Sequence, residues 1–272
     1  MTTDTDIIQG LDDSWAATDA VLTGLPADGW VLPTDCPGWD VQAVVAHLLG
    51  FESQWYLGRT AGGQAAGTEA HVVNALGADN EAWVVTRAGR SPTDVLAEYR
   101  EVLSARMDQL RGAALDMDAV STTWRGQEVV RDQLATRLVD VWVHEQDIRR
   151  AVGVSGGWDT IGARHTIERM TGAVPYVLGR KARLADGSTV AVTLFGTNAR
   201  TVTATVDGGR GRLISAAERA PTAALTMHEE TFVCVTTGRR SPASYLEAKK
   251  ITLRGDTDLA RRVAEQLAII DV

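Results

Sequence analysis

The chain has little cysteine, little lysine and no long apolar run, and each shortage closes off a class of protein. Two cysteines in 272 residues, Cys36 and Cys234, exclude a disulfide framework and a zinc site built from cysteine. No stretch reaches the roughly eighteen consecutive apolar residues that a membrane span needs, so no membrane partner is expected. Lysine occurs three times against 24 arginines, and the net charge is −8. That acidic balance gives no footprint for nucleic acid. The opening residues, Met1 to Gly10, are polar and acidic and lack the basic and apolar regions of a secretory signal, so a cytoplasmic location is expected. What is present, 44% hydrophobic and 23% charged residues, is the balance of a folded globular protein.

The charge is unevenly spread. Residues 1–155 carry 23 acidic and 11 basic side chains, and the rest carry 12 acidic and 16 basic. All eight tryptophans fall at or before Trp158. The shift coincides with the Gly/Ser-rich stretch AVGVSGGWD, which reads as a linker. Two domains are therefore expected, 1–155 and 156–272. In the first, helical periodicity runs over 4–24, from Asp40 as N-cap to about Arg59, from the Ser91–Pro92 pair to about Leu110, and over 129–152. Four long helices predict a four-helix bundle. In the second, a helix over about 160–178 precedes alternating segments separated by Asp-Gly and Gly-Gly turns. KKITLRG is a further strand, Glu229 to Thr237 a short helix, and Asp256 caps a closing helix. That pattern predicts an α+β domain with an antiparallel sheet.

The chemistry lies on the helices of the first domain. Asp140 and His144 are four residues apart, a rotation of about 40°, so both leave one helix face a turn apart. A carboxylate and an imidazole so placed can share one divalent ion, with a third ligand from elsewhere. His47 sits within VVAHLLG, where a buried imidazole needs a partner, and a metal is one such partner. The plain alternatives are a surface ion pair for Asp140 and His144 and an ordinary hydrogen bond for His47. Phe51 and Trp55, one and two turns beyond His47, read as pocket lining or as core. Both cysteines read as packing residues rather than nucleophiles.

The segment LPTDCPGWDVQAVVAHLLG closely resembles the N-terminal signature of the mycothiol-dependent maleylpyruvate isomerase family, and RLVDVWVHEQDIRRAVG resembles its second signature. The ending, from LTMHEETFVCVTTGRRS to LRGDTDLARRVAEQLAI, is similar to that family's C-terminal domain. The resemblance covers nearly the whole chain. It implies a DinB-like four-helix bundle followed by a sterol-carrier-like α+β domain. It also implies Zn²⁺, or another divalent metal, bound by His47, Asp140 and His144. Relatives carry Glu where this chain has the shorter Asp140, which requires the helix to sit closer or the metal to shift. Asp147, three residues after His144, is then a candidate to orient a ligand imidazole, or else a partner of Arg149 or Arg150. Arg137 either orients Asp140 or forms a helix-surface ion pair.

The implied mechanism uses an external thiol, mycothiol, whose thiolate attacks a small-molecule electrophile. Loss of the thiol after bond rotation gives cis–trans isomerisation, and retention gives S-transfer. In the second domain Arg254 as a catalytic residue, and Arg239 and Arg240 as cofactor-binding residues, are candidates to pair with a carboxylate; otherwise they are solvated surface side chains. Two other classes stand beside this one: a zinc-dependent hydrolase using a metal-bound water, and a non-catalytic small-ligand binder. Nothing in the sequence specifies an oligomeric state.

Overall fold

The protein, seen in a computed structural model, is described over residues 2–63, 69–123, 125–215 and 217–270. It divides into two compact units, Met1–Gly162 and Ala163–Val272.

The first unit is built on α1 (Asp4–Leu22), α2 (Val41–Trp55), α3 (Ala75–Val85), α4 (Pro92–Arg111) and α5 (Val130–Val152), with a hairpin of β1 (Val120–Thr123) and β2 (Gly126–Val129) ahead of α5. Local signals set the helix ends. Thr3 and Asp6 form a reciprocal capping box on α1, and Asp40 and Ser91 accept backbone N–H groups at the starts of α2 and α4. Gly153, at φ 71°, closes α5 in the left-handed conformation. The four long helices make the bundle; α1 lies on α5, and α2 meets α3, α4 and α5.

α2 is the centre of this unit. Every residue from Val41 to Ser53 is buried, because the helix is apolar nearly all the way round. Its backbone also comes very close to α3. A Cβ built on Gly50 would lie 2.4 Å from Cγ of Trp83. Polar residues on such a helix need partners from elsewhere. Gln42 donates to the carbonyls of Arg87 and Arg90 at 2.8 and 3.2 Å. Glu52 lies between two guanidiniums, with Arg137 Nε at 2.6 Å and Arg106 Nε at 2.9 Å. These ion pairs tie α2 to α5 and α4. Among the described residues, Ser53 Oγ and both ring nitrogens of His47 have no hydrogen-bond partner.

In the second unit α6 (Ile161–Gly172) stops short of the expected helix over 160–178. A single turn, α7 (Val174–Tyr176), and a π-helical turn over Val177–Lys181 carry the rest. Gly172 and Pro175 weaken and interrupt the helical ladder there. The strands β3 (Thr189–Phe195), β4 (Arg200–Asp207), β5 (Arg210–Ile214), β6 (Ala223–His228) and β7 (Ile251–Gly255) form one sheet in the order β5-β4-β3-β6-β7. The pairings are antiparallel except at the centre, where β6 runs parallel to β3. After the β3–β4–β5 meander, β6 returns to the free edge of β3, and its direction follows from that crossover. Helices α8 (Glu229–Thr236), α9 (Pro242–Glu247) and α10 (Thr257–Glu265) complete the unit. Val190, Val192, Leu194, Leu225 and Met227 share one buried sheet face, and α8 and α10 both pack on β6. The opposite face is rich in threonine, with Thr193, Thr201, Thr226 and Thr252 in register across four strands.

Two substitutions test this account. Gly50→Ala is expected to lower the thermal midpoint: overpacking at Trp83 costs about 1–3 kcal/mol, more than the roughly 1 kcal/mol gained in helix propensity. Arg137→Met is expected to destabilise by about 3–5 kcal/mol in urea titration, because it strands part of the buried Glu52 charge. Arg59→Met, which breaks the exposed pair with Glu101, should stay within about 1 kcal/mol.

Candidate functional site

Helical geometry brings Asp140, His144 and Asp147 onto one stripe of α5, and that stripe meets α2 at His47. His144 Nε2 is 3.5 Å from Asp140 Oδ1, and His47 Nε2 is 3.5 Å from Asp140 Oδ2. The two imidazole centroids are 4.7 Å apart. One ligand atom from each of His47, Asp140 and His144 lies within 4.8 Å of the others. The shorter side chain of Asp140 therefore still brings an oxygen close to each ring. Two imidazoles and one carboxylate on facing helices form a donor set suited to a divalent ion of zinc type.

Two of the three donors are braced from behind. Asp147 is fully buried, and its Oδ2 is 3.0 Å from His144 Nδ1. With Nδ1 held by Asp147, Nε2 is the nitrogen that faces Asp140 and His47. The other oxygen of Asp147 accepts from Arg150. The two roles the sequence leaves open for Asp147 are thus filled together. Arg137 is 1% exposed and donates to Asp140 as well as to Glu52. It is not a helix-surface ion pair.

Burial pushes the His47 pKa down to about 4, against the pull of Asp140, so this imidazole is neutral at neutral pH. Burial alone would also lower His144, but the Asp140 carboxylate and the hydrogen bond to Asp147 outweigh it and hold His144 well above the usual histidine range. Asp140 resists the upward pull of its burial because Arg137 and His144 hold it well below the usual carboxylate range. Glu145 is buried and paired with Arg149, and desolvation raises it to about 7.

The turn before α2 contributes residues that spacing does not reveal. Thr34 and Trp39 close it with a backbone hydrogen bond of 3.0 Å, and Gly38 turns at φ 78°. Cys36 is buried in the core, as its packing role requires, yet its Sγ also lies 3.2 Å from Asp147 Oδ2 and 3.8 Å from His144 Nδ1. Trp39 lies over both imidazoles, with ring centroids 5.1 Å from His47 and 6.3 Å from His144. Its Nε1 donates to the buried Glu81 at 2.9 Å, and the same carboxylate oxygen is 2.9 Å from His71 Nε2. Phe51 is core and also a neighbour of the His47 ring, while Trp55 is half-buried. The only local signal for Trp39 was its place immediately before the N-cap Asp40.

The candidate arginines belong to the second unit. Arg254 is exposed on β7, opposite Ala224 on the threonine-rich face. Arg239 and Arg240 follow α8 at the Gly238 turn, and Arg239 donates to the Thr237 carbonyl. Elsewhere, a cleft of about 340 Å³ between α1 and α4 is lined by Arg100 and Arg111, which are already paired with Asp19 and Asp12.

Comparison with known proteins follows the same division. Residues 179–268 match the SCP-2 sterol transfer family. Two uncharacterized proteins from strains of Mycobacterium tuberculosis are 30% identical over 141 residues, 50% of this chain and 52% of theirs. The chain thus spans about half the length of the curated relatives it matches. The crystal structure of the mycothiol-dependent maleylpyruvate isomerase superposes with a TM-score of 0.56 at 13% identity, over 93% of this chain and 95% of that one. A histidine-to-alanine mutant of the same enzyme gives 0.57. Those likenesses establish the shared fold. No helix among the described residues is long and apolar enough to cross a membrane. Residues 11–149, half of the chain, match the mycothiol maleylpyruvate isomerase N-terminal domain, and the chain belongs to that family.

Proposed function

We propose that this protein is an enzyme that activates a low-molecular-weight thiol, mycothiol, for attack on an electrophilic small molecule, using a divalent metal held by His47, Asp140 and His144. The carrying observation is His47. It is 4% exposed on a helix buried from Val41 to Ser53, and among the described residues neither ring nitrogen has a hydrogen-bond partner. An imidazole in that position would be costly unless something binds it. Its neutral state and the neighbouring carboxylate and imidazole suit a cation of zinc type, which supplies a low thiol pKa and hence a thiolate at neutral pH.

The chain's own residues then have distinct tasks. His47 offers a lone pair without first losing a proton. His144 keeps its Nδ1 proton on Asp147 and gives up the other from Nε2. Arg137 fixes the Asp140 carboxylate while itself anchored on Glu52. Trp39 and Phe51 wall the two imidazoles with apolar surface. Arg254, Arg239 and Arg240 of the second unit are guanidiniums of the kind that pairs with a carboxylate. The reaction is addition of the thiolate to an electrophilic carbon. Where that carbon belongs to a double bond, the added pair leaves a single bond free to rotate. Expulsion of the thiolate then restores the double bond in the other geometry, whereas protonation and release of the adduct gives S-transfer. The isomerase named among the structural relatives supports the first outcome. A hydrolase reading is weaker, since Asp147 already has both oxygens engaged and Glu145 is tied to Arg149.

Elemental analysis of protein purified without a metal-affinity tag is expected to give about one zinc per chain, lost in His144→Ala. Mycothiol should be required for turnover, and its consumption separates S-transfer from isomerisation. Wild-type protein that stays metal-free after incubation with zinc, or that turns over without thiol, would overturn the proposal. Calorimetry at pH 7 in buffers of different ionisation enthalpy should show release of about one proton on zinc binding, from His144. Zinc affinity should fall as the pH drops below neutrality, with His144 the competing site and His47 silent until about pH 4.

A further inference from the structure

We infer that Cys36 is a positioning residue of this centre: its S–H holds the Asp147 carboxylate, which in turn holds the His144 imidazole with Nε2 facing Asp140 and His47. The inference rests on the metal reading proposed above and extends it to a side chain that packing alone would explain.

The geometry is specific. Cys36 Sγ lies 3.2 Å from Asp147 Oδ2, the same oxygen that is 3.0 Å from His144 Nδ1. At that separation the thiol proton has to lie between sulfur and oxygen, because an ionised carboxylate only accepts. Arg150 occupies the other oxygen of Asp147, so the carboxylate is held on both sides. The sulfur itself is fixed by the turn it sits in. The Cys36 amide donates to Thr34 Oγ1 at 3.2 Å, and the preceding residue, Asp35, accepts from Arg150 Nε at 2.7 Å. Adjacent residues of one turn therefore grip the two partners, Asp147 and Arg150, that stand behind His144. Without the S–H, Asp147 keeps its charge but loses one of the contacts that fix its plane, and the imidazole loses part of its restraint.

The same geometry keeps Cys36 from acting as a ligand alongside His47. Its sulfur faces the Nδ1 side of His144, whereas His47 and Asp140 face Nε2. The protein's own thiol is held away from the place where an external thiol is needed.

The test is zinc affinity by chelator competition at fixed pH, with urea midpoints of the metal-free proteins to establish folding. Cys36→Ala is expected to weaken zinc binding about tenfold, the low end for partners behind a ligand. Cys36→Ser, which keeps an O–H donor, should remain within about twofold of wild type. In an Asp147→Asn background, Cys36→Ala should add no further loss, because the two act through one contact. Equal affinity of wild type and Cys36→Ala, or equal loss in the Ser and Ala variants, would overturn the inference while leaving the metal site intact. A sulfur-to-metal charge-transfer band in cobalt-substituted wild type without added thiol would overturn it by making Cys36 a ligand. A wild type that binds no zinc would fail the metal reading itself and this inference with it.

Discussion

An imidazole on a helix that is buried on every side can be satisfied only by groups reaching in from other helices, and His47 is in that position. The surrounding structure supplies an oxygen and a second imidazole at distances too long for hydrogen bonds, yet close enough for both to share a third body. The arrangement of the first unit follows from this. α2 must be central so that water is kept from the ring. α5 must present Asp140 and His144 on one face toward it. The polar side chains that α2 still carries must be answered by residues of other elements, and Glu52 is answered by guanidiniums from both α4 and α5.

That Glu52 is fully buried gives the ion-pair network a second role. Arg137 reaches Glu52, Asp140 and the Leu48 carbonyl at once, with its guanidinium over the Phe51 ring at 4.2 Å. A guanidinium held by four groups has few ways to move, so the carboxylate it grips is equally fixed. Buried ion pairs add little to stability when compared with apolar replacements. Their use here is placement, since a one-turn helix pair such as Asp140 and His144 needs an external brace to keep both side chains in one rotamer.

Much of this was legible in the sequence, and the limit was sequence separation. The four long helices, their caps at Asp40 and Ser91, and the Asp140–His144–Asp147 stripe depend on residues within a turn or two of each other. His47 was legible because a histidine inside an apolar run is a local anomaly. Cys36 was not, because its partners Asp147 and His144 lie 111 and 108 residues away and nothing local distinguishes it from a packing cysteine. Trp39 and Glu81 meet across 42 residues and were hidden for the same reason. In the second unit the strands followed from alternation and turn residues. The parallel register of β3 with β6 did not, because strand order is decided by which edge the returning chain finds.

Charge around the two imidazoles bears on what completes the site. Asp35, Glu52, Asp140 and Asp147 face Arg106, Arg137 and Arg150, so a protonated His144 balances these charges when no cation is bound. A divalent cation that took the place of the His144 proton would leave one positive charge in a largely buried cluster, where an uncompensated charge is costly. One anionic ligand restores neutrality, and a neutral one does not.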